Sequence, residues 1–121
     1  MMQQIIDILK TLRINPINEE YDLQDEIEKL LINAEIHYER ECWLGPRNRV
    51  DFLTFKDGIA IEVKKGKPNK SQVISQLERY TRFDKVKGII LVVEKNMDAP
   101  KELNGKPCVS LGLNKLWGIA L

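Results

Sequence analysis

An Asp57-Gly58 pair joins two short runs rich in β-forming residues, at about 49–55 and 59–64. Asp-Gly in this setting predicts a hairpin with a two-residue type I′ loop, because that turn needs a positive φ at both central positions. The sequence therefore predicts two antiparallel strands whose register is fixed by the turn.

That register brings polar residues together. With Asp57 and Gly58 as the whole loop, Asp51 is directly opposite Lys64, and opposed residues point to the same side of a sheet. Glu62 lies on that side too, since side chains alternate with a period of two. Two carboxylates and an ammonium then share one face, while the other face carries the apolar residues Ile59, Ile61 and Val63.

Composition is that of an ordinary globular protein. The 121 residues favour one domain, with 43% hydrophobic and 31% charged residues and a net charge of +1. No apolar stretch approaches a membrane span and the first residues lack a signal-peptide pattern, so a cytoplasmic protein is expected. Cys42 and Cys108 are predicted to be buried free thiols.

Hydrophobic periodicity predicts three helices and a set of strands. The helices lie at about 3–12, 19–34 and from 71 onward, and the strands at about 36–44, 49–55, 59–64 and 89–93, with one more short strand at 107–111. A strand, a crossover helix and a strand in succession favour a mixed sheet with a parallel pair, and thus an α/β sandwich. The apolar tail at 116–121 is expected to pack down as an edge strand or a dimer contact.

The polar cluster suits metal-assisted phosphodiester chemistry. Asp51 and Glu62 offer hard oxygen ligands for Mg²⁺ or Mn²⁺, with the Val63 carbonyl as an auxiliary ligand. Lys64 beside them is suited to orient a water and to offset phosphate charge. Glu20, on the preceding helix, is placed to reach the same ions or their waters.

The third predicted helix adds candidate nucleic-acid contacts. Gln76 and Tyr80 are four residues apart and therefore share a helix face, with Arg79 adjacent. They could hold a strand through phosphate contacts and base stacking on Tyr80, aided by Lys65 and Lys67. The alternative is that Tyr80 belongs to the core, Gln76 is a surface helix residue and the lysines form a solvated loop.

These motifs together carry a family resemblance. Asp51, then Glu62-Val63-Lys64, then Gln76-x-x-x-Tyr80 resembles the PD-(D/E)xK nuclease superfamily, and the last element resembles its RecB-like and Holliday-junction-resolvase-like branches. The resemblance covers about residues 20–93. One departure is Val50, because members of the family often have proline before the aspartate.

The resemblance implies a restriction-endonuclease-like three-layer sandwich, with a mixed central sheet flanked by helices and the core order αβββαβ. On this interpretation the chain is one nuclease-like domain, divided into an N-terminal helix at 1–14, a core at 19–93 and a C-terminal extension at 94–121.

The resemblance also implies a function. Family members cleave DNA with bound Mg²⁺ or Mn²⁺; here Asp51 and Glu62 would be metal ligands and Lys64 would position the attacking water. Glu20 fits the assisting role of the preceding helix, with Glu26 and Glu28 as alternatives. A chain this short would gain reach by forming a homodimer or by joining a larger DNA-processing complex.

Two other interpretations stay open at this point. One is a non-catalytic nucleic-acid-binding or assembly module that keeps the nuclease fold. The other is an interaction protein with a charged sheet edge and a chance resemblance. Trp43 and Trp117 are predicted to be core or interface anchors rather than platforms for bases.

Overall fold

A computed structural model describes residues 2–12 and 20–113, and these form an α/β fold. The predicted apolar tail at 116–121 lies outside the described residues. In chain order the elements are α1 (Met2–Leu9), α2 (Glu20–Asn33), β1 (Tyr38–Gly45), β2 (Asn48–Thr54), β3 (Ile59–Lys64), α3 (Lys70–Thr81), β4 (Gly88–Val93), β5 (Glu102–Leu103) and β6 (Lys106–Gly112).

The strands form one mixed six-stranded sheet in the order β1-β2-β3-β4-β6-β5. β3 and β4 are parallel because α3 carries the chain back across the sheet between them, as predicted. β4 also pairs in parallel with β6, and every residue of β4 is buried, as expected for a continuous apolar strand at the centre of a sheet. The predicted short strand at 107–111 is confirmed as part of β6.

Helices cover both faces of this sheet. The apolar stripes of α1 and α2 pack on the face that carries Ile59, Ile61 and Val63 of β3. The buried side of α3 packs on the opposite face, against residues that include Ala60 of β3. The face of β3 toward α1 and α2 is wholly apolar. The polar side chains of this strand therefore lie on the face toward α3.

The turn between β2 and β3 differs from the prediction. The connection covers residues 55–58 rather than Asp57 and Gly58 alone. Thr54 holds both ends of it: its carbonyl accepts a hydrogen bond from the Gly58 amide at 3.1 Å, and its Oγ1 accepts one from the Ile59 amide at 2.9 Å. The two-residue type I′ loop was therefore a wrong prediction, since the side chain of Thr54 stabilises a longer turn.

The longer turn shifts the register but keeps the faces. Leu53 pairs with Ala60, and continuing this register places Asp51 across from Glu62 rather than across from Lys64. The shift amounts to two residues, and an even shift leaves Glu62 and Lys64 on their predicted side of the sheet and the apolar residues of β3 on the other. Asp51 and Glu62 thus become the directly opposed pair.

The cysteines and the helices bear on two further expectations. Cys42 and Cys108 are free and buried, as predicted. Over residues 2–12 and 20–113, no helix combines the length and apolar character needed to cross a membrane.

Replacing Gly58 by alanine should destabilise the fold more than the same change at Gly105. Both glycines have a positive φ, +65° and +76°, so both variants carry a similar backbone cost of about 1 kcal/mol. A Cβ at Gly58 would also lie 2.6 Å from the Lys85 carbonyl oxygen, whereas a Cβ at Gly105 meets nothing within 4 Å. We expect Gly58→Ala to lose roughly 1–3 kcal/mol more in urea unfolding. Equal losses would contradict the close backbone contact at Gly58.

Candidate active site

The candidate site lies where the alternation of β2 is interrupted. Val50 and Phe52 are two residues apart, yet they pack in the cores on opposite faces of the sheet. A regular strand would put both on one face. At the same level of β1, Glu41 has a φ of +54°, which is uncommon for a residue other than glycine. The irregularity in both strands therefore centres on Asp51.

Side-chain hydrogen bonds replace the backbone ladder beside Asp51. Its Oδ2 accepts a hydrogen bond from the Val63 amide at 2.7 Å, and its own amide donates to Glu62 Oε1 at 3.3 Å. Asp51 is half-buried and Glu62 is only 4% exposed. These crossed bonds fix the two carboxylates across neighbouring strands.

Lys64 completes the predicted cluster. Its Nζ lies 3.2 Å from Glu62 Oε2, and 21% of its side chain is exposed. The ammonium is therefore held against a buried carboxylate while it keeps contact with solvent. The structure thus brings together Asp51, Glu62 and Lys64 on one face of the sheet, as the sequence predicts.

The electrostatics of the cluster are unfavourable for the buried carboxylate. Burial raises the pKa of Glu62 to about 7, and the negative charge of Asp51 adds to the rise. Lys64 acts in the opposite direction through its charge and its hydrogen bond, without cancelling the effect. A pKa raised in this way, by burial and a neighbouring charge, is typical of functional sites.

Helix α3 reaches the cluster through Tyr80. The phenol donates a hydrogen bond to the Arg49 carbonyl at 2.9 Å and lies 3.5 Å from Glu62 Oε1. Burial, followed by the charges of Glu62 and Asp51, raises the pKa of Tyr80, and the charge of Arg79 and a hydrogen bond with Gln76 partly offset this. Because Tyr80 is only 1% exposed, the predicted stacking of a base on its ring was wrong. Its hydroxyl instead joins α3 to β2 and to the buried carboxylate.

Tyr80→Phe should cost about 1–2 kcal/mol of unfolding free energy in urea. The change removes only the hydroxyl, and it leaves the Arg49 carbonyl without this donor beside a buried carboxylate. Tyr38→Phe is the matched control, since the Tyr38 hydroxyl donates to Glu28 Oε2 at 2.7 Å in a less buried position. A loss at Tyr80 no larger than the loss at Tyr38 would argue against a role for the phenol in holding the site.

The other predicted nucleic-acid contacts are at the surface near the cluster. Lys65 and Lys67 are exposed in the loop that follows β3. The loop is tied to the end of β4, because Glu94 Oε1 accepts a hydrogen bond from the Gly66 amide at 2.8 Å. Arg79 is exposed on α3, with its Nε 3.4 Å from Asn48 Oδ1 at the start of β2. Gln76 is half-buried above Tyr80.

The predicted contribution of α2 can be located only in part. Glu20 is the first residue of this helix, and its side chain lies outside what the structure describes. The alternatives have other partners: Glu26 pairs with Lys29 at 3.1 Å, and Glu28 accepts hydrogen bonds from Tyr38 and Arg40.

The sequence did not predict two features that shape the site. Glu94 fixes the basic loop, and its signal is its position directly after the buried strand β4, since the carboxyl ends of parallel strands are the usual location of sites in such sheets. Glu41 marks the irregularity opposite Asp51, and an ordinary strand residue in the sequence gives no sign of its positive φ.

The donors at the site fit a hard divalent cation. Among the described residues no group of three or more His, Cys, Asp or Glu side chains is arranged as a metal site. Mg²⁺, however, is usually held by one or two carboxylates, with water and substrate phosphate as its other ligands. Asp51 and Glu62 supply that pair, and a cation would relieve the repulsion that raises the pKa of Glu62.

Comparison with known proteins adds no identification. No family model, no curated protein and no solved structure matches the chain.

Proposed function

We propose that this protein is a divalent-metal-dependent DNA nuclease with a restriction-endonuclease-like fold. The observation that carries the proposal is the convergence of Asp51, Glu62 and Lys64. They meet at the point where side-chain hydrogen bonds replace the backbone hydrogen bonds between β2 and β3. Helices on both faces of a mixed sheet and the order of the central elements agree with the resemblance to PD-(D/E)xK nucleases.

Each residue of the cluster has a separate task in this proposal. Asp51 and Glu62 hold a divalent cation, which when bound supplies charge neutralisation and Lewis acidity at the scissile phosphate. Lys64 orients a water molecule for attack through its N–H groups and offsets the charge of the phosphate. Tyr80 keeps Glu62 in place from the helix side. The resemblance assigns Glu20, the first residue of α2, the role of a third acidic group for the same cation.

Surface residues around the cluster bind the substrate backbone. Lys65, Lys67 and Arg79 are exposed cations beside the carboxyl end of β3 and on α3, and Gln76 adds an amide. Contacts of this kind to phosphate oxygens position a nucleic acid without selecting its sequence. The proposed enzyme is therefore expected to recognise DNA structure more than base sequence.

The test is cleavage of labelled DNA with Mg²⁺ or Mn²⁺. Single-stranded, duplex, flapped and four-way-junction substrates should be compared for the native protein and for Lys64→Met, with Lys56→Met as the control because Lys56 is an exposed lysine in the β2–β3 turn. Metal-dependent cutting that only Lys64→Met abolishes supports the nuclease. Binding of DNA without cutting of any form would favour the non-catalytic module.

A further inference from the structure

Trp43 was predicted to be a core or interface residue, and the structure excludes the core, because 62% of it is exposed. It lies on β1 near the tip of the β1–β2 hairpin, directly opposite Arg49 of β2. Opposed residues of an antiparallel pair point to the same side, so the indole and the guanidinium are neighbours on the surface. The hairpin therefore presents an open aromatic face next to a cation.

The surroundings of Trp43 are rich in positive charge. From Trp43 to Arg49 the hairpin contains Arg47 and Arg49 and no carboxylate. Arg49 lies 3.5 Å from Glu41, yet 66% of its side chain is exposed. Lys85, in the segment after α3, adds a further cation beside the hairpin, and the acidic residue Asp84 precedes it in the sequence.

The hairpin tip is fixed in position. Lys85 Nζ donates a hydrogen bond to the Trp43 carbonyl at 3.1 Å. The Phe83 ring is packed directly against Gly45, since a Cβ there would lie 2.5 Å from Phe83 Cε1. Tyr80 holds the Arg49 carbonyl from the same side. A platform held in this way loses little conformational freedom when it binds a ligand.

The platform lies close to the candidate site along β2. Arg49 is two residues before Asp51 on β2, which is about 7 Å along a strand. Cys42, Leu44 and Val50 pack in the core against α3, so Trp43 and Arg49 point to the other face of the sheet, whereas Glu62 faces α3 and contacts Tyr80. A strand bound at the hairpin would therefore reach the carboxylates around the edge strand β1.

We propose that the β1–β2 hairpin binds an unpaired nucleic-acid strand beside the candidate site, with a base stacked on Trp43 and phosphates at Arg47 and Arg49. This inference rests on the proposed nuclease function and names its substrate class: DNA with unpaired nucleotides close to the point of cutting. Stacking on an aromatic side chain needs an exposed base face, which the interior of a duplex does not offer.

Charge favours this occupant over a second copy of the chain. Two copies meeting through the same patch would bring Arg47 and Arg49 of each against those of the other, and such like-charge contacts are costly. A nucleic-acid strand supplies both the negative charge and the flat apolar faces that the patch lacks.

The experiment is binding of labelled single-stranded and duplex DNA of the same sequence, in EDTA, to the native protein, Trp43→Ala, Trp43→Phe and Phe55→Ala. Phe55 is the matched control because it is 60% exposed, lies in the β2–β3 turn and has no part in the patch. We expect Trp43→Ala to weaken single-strand binding about tenfold, the loss of one stacked base, and to change duplex binding less than about twofold. Trp43→Phe should retain most of the affinity, and Phe55→Ala all of it.

Several results would overturn the inference. These are equal losses for both DNA forms in Trp43→Ala, no loss at all, no binding of either form by the native protein, or self-association of the native protein that Trp43→Ala abolishes. Because binding is measured without metal, the outcome is independent of cutting. Trp43-dependent strand binding without any cleavage would contradict the proposed nuclease, whereas cleavage that ignores Trp43 and prefers duplex would contradict the hairpin role alone.

Discussion

Asp51→Asn is expected to reduce metal-dependent DNA cleavage about 1,000-fold, equivalent to roughly 4 kcal/mol of transition-state stabilisation. The amide has the shape of the carboxylate, and its oxygen can still accept the hydrogen bond from the Val63 amide, so the fold should remain intact. What is lost is one negative charge at the proposed cation site. The measurement is the single-turnover cleavage rate with saturating Mg²⁺ or Mn²⁺.

The control for this variant is Asp98→Asn, an exposed carboxylate between β4 and β5, which should cleave at the native rate. Thermal unfolding with and without the divalent ion adds a readout that needs no substrate. The ion should raise the Tm of the native protein and of Asp98→Asn but not that of Asp51→Asn. Equal ion-induced shifts in all three proteins would remove Asp51 from the metal site.

Glu62→Gln is expected to stabilise the metal-free protein at neutral pH while it abolishes cleavage. Burial and Asp51 raise the folded-state pKa of Glu62 to about 7, against an ordinary value of 4.5. Below about pH 4.5 the native protein keeps the full stability of the protonated form. As the pH rises to 7, the unfolded chain releases this proton more readily than the folded one, so stability falls, by about 3 kcal/mol in total.

The measurement for this second variant is urea unfolding in EDTA from pH 4.5 to 8. The free-energy difference between Glu62→Gln and the native protein should grow in favour of the variant up to about pH 7 and then level off. Glu78→Gln, which removes a carboxylate from the more exposed side of α3, is the control for the loss of one charge. A flat difference for Glu62→Gln would mean that its carboxyl group ionises in the folded protein as readily as in the unfolded chain.

The faces of the sheet could be predicted from the sequence because they depend only on alternation. Glu62 and Lys64 share a side by the period of two, and the apolar partners Ile61 and Val63 confirm the other side. The parallel pairing of β3 and β4 followed from the crossover helix. These features are local or topological, so no knowledge of packing was needed.

The turn chemistry was assigned to the wrong glycine. Asn104 and Gly105 have φ values of +51° and +76° and lie between the paired residues Leu103 and Lys106, as a two-residue hairpin loop requires. At Gly58 the Thr54 hydroxyl competes successfully for the Ile59 amide and lengthens the loop. A side chain that caps a turn is not visible in a dipeptide signal, and so the register was misplaced by two residues.

The exposure of Trp43 could not be predicted, and for Tyr80 the sequence left a core role and a base-stacking role open, for a related reason. Each depends on where α3 lies on the sheet, and that is set by contacts distant in sequence, such as Tyr80 with the Arg49 carbonyl and Phe83 with Gly45. The hydrophobic pattern predicts whether a segment is a helix or a strand. It does not predict which other segment packs against it.

The short ladder between β2 and β3 has a consequence for local unfolding. β2 pairs with β3 at Leu53 and Phe52, and beyond them the connection passes through the side chains of Asp51 and Glu62. The β1–β2 hairpin can therefore open as a cooperative unit while β3, β4 and β6 stay paired. An ion bound by both carboxylates would bridge the two strands, so it would slow the hydrogen exchange of the Asp51 and Val63 amides and suppress hairpin opening in the same step.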